Sequence, residues 1–403
     1  MESSQGALAA RLRTLMLDKG VRTDPETELR FYTGYQYGTL YDWDLYFETL
    51  TLYYLGETEY ARNGVRLFLS TQRDSGFIPR VFQREQLGWR AEEDLEHCKP
   101  FLAQTALLAS RYDGDFEWIT PEMRHRLRRY VNYWLDDCDR DGNGLSEWNS
   151  GPHCGEDNQF ERAGGWQANF CEGVDLNSFL VRECQALAIL MEQAGDIQQA
   201  KDLREAARAR KDAIQRLLWD SNEECFFDRH RRTGKLIPVK YAMAFATLWA
   251  DVATPHQAAS SVKRHLLNPG EFWAPHPVAT YARTEPMYSQ EPREGDYSAC
   301  TWRGSLWIPA NYIIMQGLRR YGFREEAAVL ADRSYAVLAA HEHPYEFYNA
   351  ETGAGCGQGP FWGWSGLAAF MLLEIEHDCD PTALDATDLK KPIQAVQQAI
   401  NPH

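Results

Sequence analysis

The sequence lacks a surplus of positive charge: 42 Lys and Arg stand against 58 Asp and Glu, which gives a formal net charge of −16. Nucleic acids and anionic membrane surfaces select a basic face, so this balance argues against both as partners. No apolar run approaches the roughly 18 residues that suggest a transmembrane helix. The N-terminus also lacks the charged start, apolar core and cleavage site of a signal peptide. These absences predict a protein that binds neither nucleic acid nor membrane.

The nine cysteines form no CxxC pair and are odd in number. Such scattered spacing is typical of reduced thiols rather than of a disulfide framework or a zinc cluster. The Gly-rich string at 353–359 lacks the Lys-Ser/Thr of a phosphate loop, and no dinucleotide fingerprint is present. We therefore expect a cytoplasmic protein with no cofactor and no metal ion.

Aromatic residues are abundant, with 13 Trp, 20 Tyr and 18 Phe among 403 residues. Many of them stand beside Gly, Asp, Arg or Asn in predicted loops rather than on helix faces. A sugar has apolar C–H faces and a rim of hydroxyl groups. Exposed aromatic walls with polar neighbours therefore favour a carbohydrate ligand.

Helical periodicity recurs along the chain, and strand-like alternation is almost absent. Two kinds of helix take turns. Amphipathic, charged helices are predicted at 5–19, 57–72, 121–138, 196–218, 255–267 and 323–340. Helices that are apolar nearly all round are predicted at 43–55, 100–111, 174–194, 241–251, 305–318 and 361–375. A helix that is apolar on every side must be buried on every side. The alternation thus predicts an all-α fold, an (α/α)6 barrel of six outer and six inner helices, in one domain over 1–403.

The links before the buried helices are long, and those after them are mostly short. The long links are 20–42, 73–99, 139–173, 219–240, 268–304 and 345–360. In an alternating barrel they must all emerge at one end, which we expect to hold the functional site because long ordered loops are usually functional. Within 219–240 the sequence predicts a small β-hairpin that turns at Thr233-Gly234.

Several of these loops combine acids with aromatic residues. The segment that includes Trp43 and Asp44 offers a flat face and an acceptor, although Trp43 is equally well explained as helix core, and Asp42 or Asp44 as a helix cap. The run 139–144 resembles a calcium loop, but Ser150 stands where a bidentate Glu should be, so a plain turn is favoured. Two acids in an aromatic-lined pocket favour glycoside hydrolysis.

Ten strings in order resemble glycoside hydrolase family 63, and within it the bacterial mannosylglycerate and glucosylglycerate hydrolases. They are YDWDLYF (41–47), GFIPR (76–80), KPFLAQ (99–104), DRDGNGL (139–145), GEDNQ (155–159), VDLNSFLVRE (174–183), FWAP (272–275), TWRGSLWIPANY (301–312), YEFYNAETGAG (345–355) and FWGWSGL (361–367). Single strings are unspecific, whereas the ordered set covers nearly the whole chain.

The resemblance implies an inverting glycosidase in which Asp157 is the general acid and Glu346 the general base. Inversion needs the two carboxyl groups about 6.5–9.5 Å apart. This chain has His-Cys-Gly-Glu before Asp157 where relatives often have Glu-Ser-Gly-Met, so Glu156 is a rival for the acid. The resemblance also implies that Arg182 orients Asp157 or binds substrate. The sugar subsite and the remaining substrate contacts then fall on Trp43, Asp44, Trp302, Arg303 and Trp307, and on Tyr35, Tyr37, Gln104 and Gln358.

The length of the chain favours a small α-glycoside substrate, α-mannosylglycerate or α-glucosylglycerate, which are compatible solutes. Arg80, Arg283 and Arg303 are available for the glycerate carboxylate. The alternative is an α-glucosidase of the same barrel that acts on a neutral disaccharide such as trehalose. The sequence leaves open the preferred sugar, the oligomeric state, loop closure and bound calcium.

Two other functional classes also stay open at this point. One is a sugar epimerase that uses paired histidines as proton shuttles. Its candidates, which sit in or beside the long loops, are His97, His153, His276 and His343. The other is a carbohydrate-binding protein without catalysis.

Overall fold

The computed structural model describes residues 4–83, 96–159, 162, 171–296 and 298–400. Its α-helices are α1 (Ser4–Gly20), α2 (Asp42–Tyr54), α3 (Glu59–Ser70), α4 (Leu102–Asp113), α5 (Pro121–Asn132), α6 (Val174–Gln193), α7 (Ile197–Leu217), α8 (Ala246–Trp249), α9 (Pro255–Ser261), α10 (Ile308–Arg320), α11 (Arg324–Ala339), α12 (Ala368–Glu376) and α13 (Lys390–Ile400). Its strands are β1 (Val21–Thr23), β2 (Arg30–Tyr32), β3 (Leu40–Tyr41), β4 (Val81–Phe82), β5 (Cys171–Glu172), β6 (Trp219–Asp220), β7 (Cys225–Phe226), β8 (Arg229–His230), β9 (Lys235–Leu236), β10 (Phe347–Tyr348) and β11 (Gly355–Cys356).

Contacts within the chain group these elements into two compact units. Unit 1 consists of Met1–Tyr133, Arg182–Ala207 and Phe361–His403, and unit 2 of Trp134–Val181 and Arg208–Pro360. The single domain over 1–403 stays a prediction. Of the helices in the described ranges, none is long and apolar enough to cross a membrane.

In unit 1, helix α2 packs against α3, α4 and α13. All thirteen of its residues are buried, as its apolar circumference predicts. Helix α5 lies nearer the surface and begins at a strong signal. Thr120 is its N-cap and accepts a hydrogen bond from the backbone N–H of Met123, and Pro121 occupies the first turn.

In unit 2, helix α10 packs against α8 and α11, and its residues from Ile308 to Leu318 are buried. Strands β5, β8 and β9 form a small antiparallel sheet. Its β8–β9 pair, with Arg229 opposite Leu236, is the hairpin expected around Thr233-Gly234, and that prediction is confirmed.

The boundaries of several helices differ from the prediction. The inner helix expected from 305 begins at Ile308, because Trp307 is extended and Pro309 occupies the first turn. Those expected from 241 and 361 open as tight 3-10 turns at Ala242–Phe245 and Trp364–Leu367. Helix α13 was not predicted, although its buried residues Ile393, Val396 and Ile400 have helical spacing.

Candidate active site

Asp157 lies in a tight turn of unit 2. Gly155 (φ 77°) and Asn158 (φ 70°), which flank the pair Glu156-Asp157, both adopt left-handed backbone conformations. The Asp157 side chain is half-buried. Its Oδ2 accepts a hydrogen bond from the Ser298 hydroxyl at 2.7 Å. The turn therefore presents this carboxyl toward loop 268–304.

Glu346, also in unit 2, lies just before strand β10 and is 6 % exposed. Its Oε2 accepts a hydrogen bond from the backbone N–H of Gln358 at 3.0 Å, and its Oε1 lies 3.6 Å from the Cys300 sulfur. A Cβ on Gly357 would lie 2.6 Å from Oε2, so only glycine lets the backbone approach this carboxylate so closely.

The pKa of the Cys300 thiol responds to the charges of both acids. Burial raises its pKa well above the ordinary value, and the charges of Glu346 and Asp157 raise it further. Ser298, two residues before Cys300, contacts the Asp157 carboxyl. The structure thus brings the two predicted catalytic acids to one short segment of loop 268–304.

An aromatic stack lies in the same unit. Trp302 stacks on Trp307 with ring centroids 4.1 Å apart, and Trp307 stacks on Phe347 at 4.6 Å. The backbone N–H of Trp302 donates to the Asp157 carbonyl oxygen at 3.3 Å. The stack is therefore tied to the Asp157 turn at one end and to Glu346's neighbour Phe347 at the other.

Glu156 is held away from this segment by a buried ion network. It is 1 % exposed, and its Oε1 accepts from Arg162 at 3.1 Å. Burial raises the Glu156 pKa well above its ordinary value even though the Arg162 charge lowers it. Burial outweighs the Arg162 charge because a side chain out of contact with water loses its hydration.

Arg303 and Gln358 complete the predicted set in unit 2. Arg303 is buried and forms an ion pair with Asp296 of the same loop. The Gln358 carbonyl accepts from the backbone N–H of Glu346 at 3.0 Å. Because the Gln358 N–H also donates to the Glu346 carboxylate, the main chain of Gln358 forms two hydrogen bonds with Glu346.

In unit 1, Tyr35 and Tyr37 belong to an aromatic cluster. Their rings stack at 5.0 Å, and Tyr35 also contacts Phe361 and Trp364. Tyr37 is 42 % exposed. The pair forms an aromatic surface that solvent can reach.

Trp43 and Asp44 are buried at the start of α2. Lys99 lies over the Trp43 ring, with its Nζ 5.2 Å from the centroid. Burial and the neighbouring Asp42 charge raise the Asp44 pKa well above its ordinary value. Neither Asp42 nor Asp44 caps the helix, because its N-cap is Tyr41.

Gln104 and Arg182 are hydrogen-bonded to each other, from Arg182 Nε to Gln104 Oε1 at 3.1 Å. Arg182 also donates to the Thr382 carbonyl. Beside them, Glu183 accepts from the backbone N–H groups of Ala103 and Gln104 and has a pKa of about 7, raised by burial. These side chains fix the first turn of α4.

The histidines have structural surroundings. His97 is fully buried, its ring nitrogens contact backbone groups, and desolvation lowers its pKa to about 3. His153 is buried and stacks on Trp134 at 5.3 Å. Burial lowers the pKa of His276 as well, and the His343 ring packs on Tyr345. A paired-histidine proton shuttle finds no support in these positions.

The Asp-rich run 139–144 is a plain turn. The Asp139 carboxylate accepts from the backbone N–H groups of Asn143 at 3.1 Å and Gly144 at 2.9 Å. In the ranges that the structure describes, no group of three or more His, Cys, Asp or Glu is arranged for a metal ion.

Sequence reasoning missed Ser298, Cys300 and Glu48. Ser298 and Cys300 lie in an irregular loop, where nothing in the sequence shows which side chain faces inward. Glu48 is in α2, four residues after Asp44, and a third acid in a helix that is apolar over the rest of its length is a signal that could have identified it.

Comparison with solved structures shows the fold. The chain is similar to a GH63 mannosylglycerate hydrolase from Thermus thermophilus solved with glucose, with a TM-score of 0.69, 19 % identity, and coverage of 91 % of this chain and 100 % of that chain. It is therefore an (α/α)6-barrel protein, as the alternating helices predict.

The family follows from a second comparison. A model described as the mannosylglycerate hydrolase MGH1-like glycoside hydrolase domain matches residues 37–365. The chain belongs to this family of glycoside hydrolases, and the resemblance to glycoside hydrolase family 63 is confirmed.

Two curated relatives illustrate its range. Mannosylglycerate hydrolase of Rubrobacter radiotolerans is 30 % identical over 207 residues, which cover 51 % of this chain and 43 % of the relative. Periplasmic trehalase of Xanthomonas axonopodis pv. citri (strain 306) is 30 % identical over 237 residues, 56 % of this chain and 38 % of the relative. The chain matches less than half the length of each.

Proposed function

We propose that this protein is an inverting α-glycosidase that hydrolyses a small α-glycoside by general acid/base catalysis. Asp157 protonates the leaving-group oxygen, and Glu346 removes a proton from the attacking water. No cofactor takes part. Cytoplasmic location and the lack of a nucleic-acid or membrane partner remain predictions, which rest on the cysteine pattern and the net charge.

The observation that carries the proposal is that one three-residue segment contacts both carboxyl groups. Ser298 contacts Asp157 and Cys300 contacts Glu346. Residues two apart span at most about 7 Å of extended chain. Two carboxyl groups held by this segment can therefore stand at the roughly 6.5–9.5 Å that leaves room for a water and a glycosidic bond.

The burial of Glu156 supports Asp157 as the acid. A general acid must reach the glycosidic oxygen. Glu156 points into the Arg162 network, whereas Asp157 is half-buried and accepts from Ser298, in the segment that also contacts Glu346.

The names of the relatives leave two classes of substrate. We propose α-mannosylglycerate or α-glucosylglycerate first, because mannosylglycerate hydrolases share the family and the fold. By the same family implication, Trp302, Arg303, Trp307 and Gln358 contact substrate, and so do Trp43, Asp44, Tyr35, Tyr37, Gln104 and Arg182.

One observation favours the second class, a neutral disaccharide such as trehalose. A glycerate aglycone carries a carboxylate, which needs cationic or multiple hydrogen-bond donors. The three arginines available for that role already pair with carboxylates: Arg80 with Glu96, Arg283 with Glu351, and Arg303 with Asp296.

Proton NMR of the purified protein with α-mannosylglycerate, α-glucosylglycerate and trehalose tests both parts. Initial release of the β-anomer establishes inversion, and the substrate that is turned over identifies the aglycone class. Initial release of the α-anomer would overturn the two carboxylate roles. No release from any of the three would remove the proposed substrates.

Variants test the residues. Asp157→Asn and Glu346→Gln should each lower kcat by about 10²–10⁴-fold. Glu156→Gln should retain most of the wild-type kcat, with circular dichroism used to check that the variant is folded. The reverse pattern, with Glu156→Gln inactive and Asp157→Asn active, would transfer the acid role to Glu156.

A further inference from the structure

The segment Ser298–Cys300 connects the two acids through side chains of different chemistry. The Ser298 hydroxyl lies 2.7 Å from Asp157 Oδ2, and the Cys300 sulfur lies 3.6 Å from Glu346 Oε1. The same segment is hydrogen-bonded to the Asp157 turn, because the Asn158 side-chain amide donates to the carbonyls of Ser298 at 3.0 Å and Cys300 at 2.9 Å.

We propose that Ser298 and Cys300 are the positioning residues of the catalytic pair, with Ser298 orienting the carboxyl of the acid and Cys300 that of the base. The inference rests on the proposed function, since it assumes the roles of Asp157 and Glu346. The inference adds that a separate neutral donor orients each carboxyl group and favours its ionised form.

The Ser298 hydroxyl is oriented as a donor to Asp157. The backbone N–H of Cys300 donates to Ser298 Oγ at 3.0 Å and occupies one of its lone pairs. The hydroxyl proton then has Asp157 Oδ2 at 2.7 Å, while the Cys300 carbonyl is at 3.5 Å and a hydrogen bond with the Cys300 thiol lowers the pKa of that thiol. A donor aimed at a carboxylate favours the ionised form. Ser298 therefore stabilises Asp157 after it has given its proton to the leaving group.

The Cys300 thiol remains protonated beside Glu346. Burial, Glu346 and Asp157 all raise its pKa, so at neutral pH it offers an S–H donor rather than a thiolate that would repel the base. Glu346 Oε2 already accepts from the backbone of Gln358. Cys300 supplies the matching donor on Oε1, and together they fix both oxygens of the base.

Among the described residues, other ionised groups of loop 268–304 pair away from this segment: Arg303 with Asp296, Arg283 with Glu351, and Glu271 with Lys240. Around the thiol itself, the charges that shift its pKa are those of Glu346 and Asp157. A change at Ser298 or Cys300 removes a neutral dipole and leaves these charges in place.

The pH profile of kcat/KM separates the two donors. In an inverting enzyme the acidic limb reports the base and the alkaline limb reports the acid. Ser298→Ala removes a donor from the carboxylate of the acid, so the alkaline limb should move up by roughly 0.5–1 pH unit. Cys300→Ala should move the acidic limb up by only a few tenths of a unit, because S–H is a weak donor. Cys300→Ser retains a donor and should restore the acidic limb.

Matched controls come from the same unit. The Ser289 hydroxyl donates to the backbone carbonyl of Glu291 at 2.6 Å, and the Cys356 sulfur donates to that of Ala354 at 3.5 Å. Ser289→Ala and Cys356→Ala should leave both limbs unmoved. Loss of kcat in Ser298→Ala and Cys300→Ala with both limbs unmoved would overturn the inference, since it would show a merely structural role.

A second measurement needs no hydrolysis. The alkylation rate of Cys300 by iodoacetamide, measured by peptide mass spectrometry between pH 7 and 10, reports the thiol pKa. Glu346→Gln should lower that pKa and speed alkylation several-fold at pH 8, and Asp157→Asn should do so less. Cys356 in the same digest should not change, because the charge that raises its pKa is that of Glu291. An unchanged Cys300 rate in Glu346→Gln would overturn the contact itself.

The two measurements also separate this inference from the proposed function. If no glycoside is hydrolysed, the proposed function fails, while the alkylation rates still decide whether Cys300 contacts the carboxylate. If hydrolysis proceeds and the limbs stay fixed in both variants, the proposed function stands and the positioning roles fail.

Discussion

Each unit contains a buried cluster of three carboxyl groups beside a buried cation, and the two clusters are arranged differently. In unit 2, Arg162 contacts Glu156 at 3.1 Å and both Asp175 and Asp228 at 2.7 Å. The Arg162 guanidinium has five N–H donors in a planar fork and reaches several acceptors. One cation therefore serves all three acids, and the cluster is structural.

In unit 1, Lys99 forms its ion pair with Asp42 at 3.2 Å. In the part of the chain that the structure describes, Asp44 Oδ1 and both Glu48 oxygens have no hydrogen-bond partner, against one such oxygen, Glu156 Oε2, in the unit 2 cluster. Burial raises the pKa of both groups, and a neighbouring acid raises each further: Asp42 for Asp44, and Asp44 for Glu48. Buried acids with strongly shifted pKa values and unused hydrogen-bonding capacity are typical of functional sites. The comparison indicates that the Arg162 cluster of unit 2 is structural, whereas Asp44 and Glu48 of unit 1 have the properties expected of acids that contact a ligand.

Among the variants that test this comparison, removal of the Arg162 cation should change the free energy of unfolding most. Arg162→Met leaves three buried acids without their cation, although Asp175 and Asp228 keep neutral donors. We expect a loss of about 5 kcal/mol in the free energy of unfolding at pH 7, measured by urea denaturation. Arg204→Met, which breaks the surface pair with Glu192, is the control and should change little. A loss as small as the control's would mean that the network is not structural.

Lys99→Met should have a smaller effect, about 3 kcal/mol in the same assay. Asp42 would keep two backbone donors, the N–H groups of Trp43 and of residue 99, both at 2.8 Å. Equal losses in Lys99→Met and Arg162→Met would remove the distinction between a cation that serves one acid and a cation that serves three.

The sequence predicts the fold well because the apolar or amphipathic composition of each helix indicates how deeply that helix is buried. The thirteen residues of α2 and the apolar face of α10 need no partner information to be recognised as interior. Boundaries fail where local geometry decides, as at Trp307, where an extended residue and the following Pro309 delay the helix.

The candidate site is only partly readable in the same way. Asp157 and Glu346 come from motifs, but the choice between Glu156 and Asp157 depends on which side chain faces Arg162, and that is a tertiary contact. Ser298 and Cys300 could not have been predicted, because irregular loops have no period that relates a side chain's direction to its position.

A variant of Glu48 should have the smallest effect on stability, and it tests most directly whether Asp44 and Glu48 serve a ligand. A Cβ on Gly34 would lie 2.5 Å from Glu48 Oε1, so the carboxyl is tightly enclosed by backbone. A carboxyl whose pKa is raised by folding holds its proton longer in the folded state than in the unfolded state. Its unfavourable contribution is absent below the ordinary pKa and grows as pH rises toward the folded pKa.

Glu48→Met should therefore raise the free energy of unfolding by roughly 1–2 kcal/mol at pH 8 and by less at pH 5, in urea titrations at the two values. Glu156→Gln should give a smaller gain, because the Arg162 charge offsets part of the burial that raises the Glu156 pKa. If Glu48 and Asp44 are kept for a ligand, the stabilised Glu48→Met variant should also turn over substrate more slowly. A variant that is stabilised and fully active would show that Glu48 destabilises the fold without serving a ligand. The two clusters would then differ in their charge pairing but not in function.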